Sequence, residues 1–191
     1  AAAAAENASR PILKLKMTGD GADLARVAGI HENAPRARLV VDANEGWDLA
    51  TYLDLAPRFK DLGVEMIEQP LPAGDDAALI GVPRPVALCA DESCHDRASL
   101  PGLAEKYDII NIKLDKTGGL TEALGCVDSF CFDSLCVGSF CFVSFCVDSF
   151  CVDFLCVDSI CVDSFVSIPC VSIPFVLFSF VFTPFVLIPF C

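Results

Sequence analysis

Residues 39–47 read LVVDANEGW, and this stretch decides the fold. Three apolar residues run directly into Asp42, and the chain then turns at Asn44 and Gly46. An apolar run closed by turn-forming residues predicts a short strand that is buried on both faces. The sequence therefore places a carboxylate, Asp42, at the carboxyl end of a buried strand.

The same pattern recurs along the first two thirds of the chain, where charged residues end further apolar runs. The runs are ILKLKM, VEMIEQP, PVALCADES and YDIINIKLDK, which end near Lys16, Glu68, Asp91 and Lys113. The steps from Lys16 through Asp42 to the later three are 26, 26, 23 and 22 residues. One strand, one helix and two loops fill about that length in a parallel βαβ unit. We therefore expect these groups at the same level of neighbouring parallel strands.

The fold class predicted from these elements is α/β. Five strands alternate with four helices, predicted over DLARVAGIHENA, DLATYLDLAPRFKDLG, DDAALIG and DRASLPGLAEKY. Asp48 and Gly63 are the expected caps of the second helix. A parallel sheet of this kind is either doubly wound or a (β/α)₈ barrel. Functional groups at successive strand ends, with no glycine-rich phosphate loop, favour a partial TIM-type barrel with its active site at the carboxyl face.

Composition divides the chain at Gly125. Residues 1–125 carry all 13 basic residues and 20 of the 26 acidic ones, whereas residues 126–191 add six aspartates, no basic residue and ten of the 12 cysteines. We expect a disordered lead-in at 1–10, an incomplete barrel at 11–125 and a low-complexity tail at 126–191. The acidic balance argues against nucleic acid as a partner. The first ten residues lack signal-peptide features, and the sparse cysteines before Gly125 favour a cytoplasmic location.

Three strand-end acids form the predicted metal site. Asp42, Glu68 and Asp91 are hard oxygen ligands, which suit Mg²⁺ and leave positions for water or substrate. A single acid of this kind is more often a turn cap or a surface charge, but three in register point to a cation. Residues expected beside the ligands are Asn44, Gln69 and Glu92.

Two lysines are predicted to flank this metal. Burial and neighbouring positive charge lower the pKa of a lysine, which would make Lys16 and Lys113 usable bases, with Lys14 and Asp115 in support. Taken alone, a strand lysine is as often a solvated edge residue. One lysine would remove the proton beside a substrate carboxylate, giving an enediolate, and the other would return a proton to the opposite face. That sequence of steps is a racemisation or an epimerisation.

The motifs KLK, VDANEGW, IEQPLP, ADES and NIKLDKTGGLTEA together resemble the enolase superfamily, in its mandelate racemase/muconate lactonising enzyme-like barrel domain. Within it they are most similar to dipeptide epimerases of the L-Ala-D/L-Glu type. The resemblance implies Mg²⁺ on Asp42, Glu68 and Asp91, with Lys16 and Lys113 as acid and base. The implied substrate is a small carboxylate, in particular a dipeptide. A muconate-lactonising or o-succinylbenzoate-forming activity on the same groups is the alternative.

The resemblance covers residues 11–125, which correspond to barrel strands two to six. By that resemblance we expect the capping domain, the first strand and strands seven and eight to be missing, and with them the capping-domain and last-strand groups that select the substrate in this family. An incomplete barrel leaves sheet edges open, so we expect oligomers or aggregates and little or no activity from this chain alone.

The tail repeats every five residues, beginning CVDSF, CFDSL, CVGSF. A pentapeptide β-helix is one interpretation, but it would place cysteine where a larger apolar residue is usual. The evenly spaced cysteines lack the paired pattern of zinc sites. Residues 165–191 are uncharged and long enough for a membrane span, yet four prolines interrupt them. We expect that the tail is the translation of tandem-repeat DNA and that it is prone to aggregate. The alternative of another class is a repeat or membrane-interaction protein that acts through this tail.

Overall fold

The computed structural model describes residues 9–132, 140–147 and 150–157. Its strands form one seven-stranded sheet in which spatial order follows chain order. The first six strands pair in parallel, and the last pairs antiparallel to its neighbour. The strands are β1 Ile12–Lys16, β2 Arg38–Asp42, β3 Val64–Glu68, β4 Ala87–Ala90, β5 Ile109–Ile112, β6 Phe140–Val147 and β7 Phe150–Val157. The α/β class, the parallel sheet and the five predicted strands are confirmed.

Two of the four predicted helices are α-helices, α1 at Asp23–Asn33 and α2 at Leu49–Asp61. Asp48 caps α2 as expected, because its side chain accepts a hydrogen bond from the Thr51 backbone N–H at 2.8 Å. Gly63 follows the last turn with a φ of +75°. That left-handed conformation is the usual way to end a helix and suits glycine.

The other two helix predictions are wrong in type and length. The segment DDAALIG holds one turn of 3₁₀ helix, Asp76–Leu79, and DRASLPGLAEKY holds a shorter one, Leu100–Gly102. Pro101 lies within the second turn. Beside it, the Ser99 hydroxyl donates to the Asp96 carbonyl at 2.6 Å, and the Asp96 carboxylate accepts from the Ser99 N–H at 3.0 Å. Such side-chain bonds to the local backbone compete with a continuous helix.

The two faces of the sheet bury different clusters of apolar side chains. One face carries Leu13, Leu15 and Val41, which join the main core together with α1 and α2. The opposite face carries a small apolar cluster of Met66, Cys89 and Ile109, with Val40 and Ala87 packed against it. Because side chains alternate along a strand, the charged residues at the strand ends stand on this second face, above the small cluster.

The helix that follows β5 extends beyond Gly125. After β5 come α3, Leu114–Thr117, and α4, Leu120–Phe132, and α4 passes through Gly125. Strand β6 then pairs with β5, so the tail covers the edge that β5 would otherwise present. In the described ranges no helix has the length and apolar character needed to cross a bilayer. Most of the predicted lead-in, much of the repeat and all of residues 165–191 lie outside the described residues.

Candidate active site

The register of the strands brings the predicted charged groups to one level. Lys16 pairs with Asp42, Asp42 pairs with Glu68, and Glu68 pairs with Cys89, two residues before Asp91. The parallel pairing therefore aligns the carboxyl ends of β1 to β4 at one edge of the sheet. This is the edge where open and closed α/β sheets alike carry their ligand sites.

Lys14 joins the first two acids. Its ammonium lies 3.0 Å from Asp42 Oδ2 and 2.6 Å from Glu68 Oε2, between strands β1 and β3. Burial alone would lower the pKa of Lys14, but the charges of Glu68 and Asp42 outweigh it and raise that pKa above its ordinary value. Lys14 is therefore held as an ammonium, which is the charge that two adjacent buried carboxylates require.

Glu68 is buried at the end of β3, at 1% exposure. The Asn111 amide of β5 donates to its Oε1 at 2.8 Å. Burial raises the pKa of Glu68 to about 7, and the charges of Asp42 and Asp91 act in the same direction against Lys14. Burial is the main cause of this raised pKa, and the two neighbouring carboxylates add to it.

Asp91 is held by two ammonium groups from the segment that follows β5. Lys113 contacts its Oδ2, and Lys116 lies 2.5 Å from its Oδ1. Burial would raise the pKa of Asp91, but hydrogen bonds from Lys113 and Lys116 lower it overall. Burial would likewise lower the pKa of Lys113, and the bond to Asp91 raises it instead. The short helix α3 makes this possible, because residues three apart on a helix lie on one side.

Two predicted residues lie at the rim. Lys16 is exposed at the end of β1, and Asp115 is exposed in the first turn of α3. In the residues that the structure describes, neither forms an ion pair. Lys16 nevertheless shares the sheet face of Lys14, since the two are separated by one residue on a strand.

The turns after β2 and β3 are conformationally strained. Asn44, Glu45 and Gln69 have positive φ values of 46°, 64° and 36°. Left-handed backbone is uncommon for residues other than glycine, and it concentrates at functional sites. The Asn44 N–H donates to Asp42 Oδ1 at 3.2 Å, so the first turn also orients a predicted metal ligand.

Gln69 and Glu92 each follow one of the acids in the chain, and their side chains differ in their contacts. The Gln69 side chain is buried and bonds both to the loop after β4 and to the loop after β3. Glu92 carries a buried oxygen, Oε2, with no hydrogen-bond partner among the described residues. Asn111 has a similar buried atom, Oδ1.

The carboxylates at this edge are chemically suited to a magnesium ion, although each of them is paired with a lysine. As they stand, no three histidine, cysteine, aspartate or glutamate side chains of the described ranges are grouped so as to hold a metal ion. The three acids are paired with lysines instead. All three are nevertheless carboxylates, the ligands that Mg²⁺ prefers, and they stand at one edge of the sheet.

Sequence reasoning missed two residues that touch the acids directly. Asn111 lies two residues before Lys113 on β5, so the period-two rule would have placed it on the same face. Lys116 lies three residues after Lys113, and recognising the short helix α3 would have brought it to Asp91.

Comparison with known proteins gives consistent matches for this part of the chain. The sequence model described as "Enolase C-terminal domain-like" matches residues 1–129. The chain is 48% identical over 116 residues to N-acetyl-D-glutamate racemase of Pseudoalteromonas sp., covering 60% of this chain and 36% of that protein. It is 54% identical over 99 residues to L-Ala-D/L-Glu epimerase of Escherichia coli strain K12, covering 52% and 31%. The chain thus spans about a third of the length of these relatives.

Solved structures agree with these sequence matches. An enolase family member from Agrobacterium tumefaciens with homology to dipeptide epimerases, with bound sodium and L-Ala-L-Glu, superimposes with a TM-score of 0.65 at 48% identity. The match covers 68% of this chain and 39% of that one. A dipeptide epimerase from Methylococcus capsulatus complexed with a magnesium ion gives a TM-score of 0.57 at 39% identity, covering 60% and 35%.

Proposed function

Because this chain belongs to the enolase C-terminal domain-like family, we propose that it is a portion of a Mg²⁺-dependent epimerase that acts on dipeptides. The reaction is removal and return of the proton on the carbon beside a carboxylate, through an enediolate. One observation carries the proposal above the others. Asp42, Glu68, Asp91 and Lys113, which come from four different strands or their ends, are linked to one another through Lys14 and through mutual charge.

The residues would divide the work by their surroundings. Asp42, Glu68 and Asp91 would hold the Mg²⁺, which when bound supplies positive charge beside the substrate carboxylate and eases proton removal. Lys113 is held as an ammonium by Asp91 and would return the proton. Lys16 stands across the sheet at the end of β1 and would remove the proton from the opposite face. Lys14 would keep Asp42 and Glu68 ionised and close together.

The proposed function requires a barrel, and this chain matches only a part of it. We take β1 to β5 as strands two to six of a (β/α)₈ barrel, with the positions of later strands filled by the tail. Groups that recognise the dipeptide would come from regions that this chain does not match. The chain alone would therefore bind Mg²⁺ but show little or no turnover.

A chimera tests this function directly. Residues 11–125 would replace the matching segment of the Escherichia coli L-Ala-D/L-Glu epimerase, and epimerisation of L-Ala-L-Glu would be followed by polarimetry with Mg²⁺. We expect an active chimera that loses activity at least about 100-fold with either Lys16→Met or Lys113→Met, as for removal of a general acid or base. Lys60→Met, at an exposed position of α2, is the matched control and should retain activity.

Two results would contradict the proposal. One is a folded chimera whose activity is indifferent to Lys16→Met and Lys113→Met. The other is turnover by the unmodified 191-residue chain at the rate of the chimera, which would refute the proposed need for the regions that this chain does not match.

A further inference from the structure

A buried polar network links the end of β3 to the loop after β4. At its centre is Gln69, whose Oε1 accepts hydrogen bonds from the backbone N–H groups of Asp91 at 2.9 Å and Ser93 at 3.1 Å. Its Nε2 donates to Ser93 Oγ at 2.8 Å and to the Tyr107 hydroxyl at 2.9 Å. Gln69 directly follows Glu68, so one side chain connects the backbone of one predicted metal ligand to the backbone of the next.

Asp76 closes the network on the side away from the acids. It is 3% exposed, and its Oδ2 accepts from the Ser93 hydroxyl at 2.7 Å and from the Tyr107 hydroxyl at 3.0 Å. Its Oδ1 accepts from the Lys106 ammonium at 2.6 Å. The charge of this buried carboxylate is therefore compensated without any contribution from the metal site.

The chemistry of a carboxylate fixes the direction of every bond in this network. An ionised aspartate only accepts hydrogen bonds, so the hydroxyls of Ser93 and Tyr107 each donate their single hydrogen to Asp76. Their oxygens can then only accept, as can the Leu71 carbonyl 2.9 Å from the same Nε2, so the donor end of the Gln69 amide faces all three. The N–H groups of Asp91 and Ser93 can only donate, so they take the carbonyl end of Gln69, and both ends of the amide favour the same orientation.

We propose that Asp76 is a positioning residue for Asp91, acting through Ser93, Tyr107 and the amide of Gln69. This inference rests on the proposed function, because it assigns Asp76 a role in Mg²⁺ affinity. Gln69 sits at a φ of +36°, a conformation that is uncommon for residues other than glycine. Asp76→Asn would introduce a side chain that donates as well as accepts, so the two hydroxyls would no longer both be directed at position 76 and would hold the Gln69 amide less firmly.

The test is the Mg²⁺ affinity of the full 191-residue chain, measured by isothermal titration calorimetry with magnesium chloride. We expect Asp76→Asn to weaken binding about 10- to 100-fold, the range found when groups behind metal ligands are removed. Tyr107→Phe removes one of the two hydroxyls and should weaken binding less. Its matched control is Tyr52→Phe, since Tyr52 is also buried and donates to the Pro83 carbonyl at 3.0 Å, which is not a member of this network.

Urea unfolding of the same variants separates positioning from simple support of the fold. A structural role alone would lower the unfolding midpoint of Asp76→Asn and leave the Mg²⁺ affinity of the folded protein unchanged, and that result would overturn the inference. Equal affinities for Tyr107→Phe and Tyr52→Phe, both unweakened, would also count against it. If the unmodified chain binds no Mg²⁺, or binds it equally well with Asp42→Asn, the proposed function fails and the inference falls with it.

Discussion

Asp23 is a buried carboxylate that accepts hydrogen bonds from two loops at the carboxyl edge of the sheet. It is 2% exposed, and it accepts from the Thr18 and Gly19 N–H groups, both at 3.1 Å, and from Trp47 Nε1 at 2.9 Å. Arg26 lies 2.8 Å away and balances its charge. The first helical residue of α1 therefore fixes the only tryptophan of the chain within the turn that follows β2.

Asp23→Asn should destabilise the fold markedly. One end of the asparagine amide would be a donor facing other donors, and the buried partners would lose a charged acceptor. Hydrogen bonds to charged groups contribute about 1.5–3 kcal/mol, so we expect a loss of about 2–3 kcal/mol in the free energy of unfolding. Urea titration followed by Trp47 fluorescence measures it. Asp48→Asn is the control, because asparagine caps a helix as well as aspartate, and it should leave the midpoint unchanged.

At the scale of elements, the loop after β1 rests directly on the loop after β2. A Cβ on Gly19 would stand 2.4 Å from the carbonyl oxygen of Gly46, and Gly19 has a φ of +68°. Gly21, two residues on, has a φ of +82°, but a Cβ added there would meet no atom within 4 Å. The two glycines thus share a backbone conformation and differ in the closeness of the neighbouring loop.

This pair allows the packing of the loops to be measured. Gly21→Ala should cost about 1–2 kcal/mol, the usual penalty for a left-handed residue with a Cβ. Gly19→Ala carries the same penalty and must also push the Gly46 turn away, so we expect a larger loss. Urea unfolding of both variants gives the difference. Equal losses would show that the two loops are not pressed together as described.

Predictability from the sequence differed sharply between elements. Strands β1 to β5 were predictable because each is a short apolar run that ends in a charge or turn residue, and this signal is local. The helix expected around Pro101 was wrong, since hydrogen bonds of Asp96 and Ser99 to the nearby backbone decide that segment. Strands β6 and β7 had no local signal distinct from the repeat around them.

The acids of the candidate site were predictable for the same local reason, because a residue at the end of a strand has a fixed place in a parallel sheet. Their lysine partners were predictable only in part. Nothing in the sequence indicates that Lys14, rather than Lys16, bridges Asp42 and Glu68. Asp76 and Tyr107 meet Gln69 only through tertiary packing, so no spacing pattern could have revealed that network.

At the scale of the whole molecule, net charge complicates any test of metal binding. The chain carries a formal charge of −13, so any added cation reduces self-repulsion and stabilises the folded state to some degree. A specific site must show itself as stabilisation beyond that general effect. The three acids, of which Glu68 has a pKa raised by burial to about 7, are where such an effect would arise.

Mg²⁺ should therefore raise the urea midpoint of the unmodified chain more than an equal ionic strength of sodium chloride does, and a chelator should reverse the gain. A ligand at about 100 times its dissociation constant stabilises a folded protein by about 2.7 kcal/mol, which sets the size we expect at saturation. In the double variant Asp42→Asn/Asp91→Asn the general effect remains, because the net charge changes little, while the specific part should vanish. Stabilisation by Mg²⁺ that is the same in both proteins would mean that the cation acts on the overall charge and that the strand-end acids do not bind it.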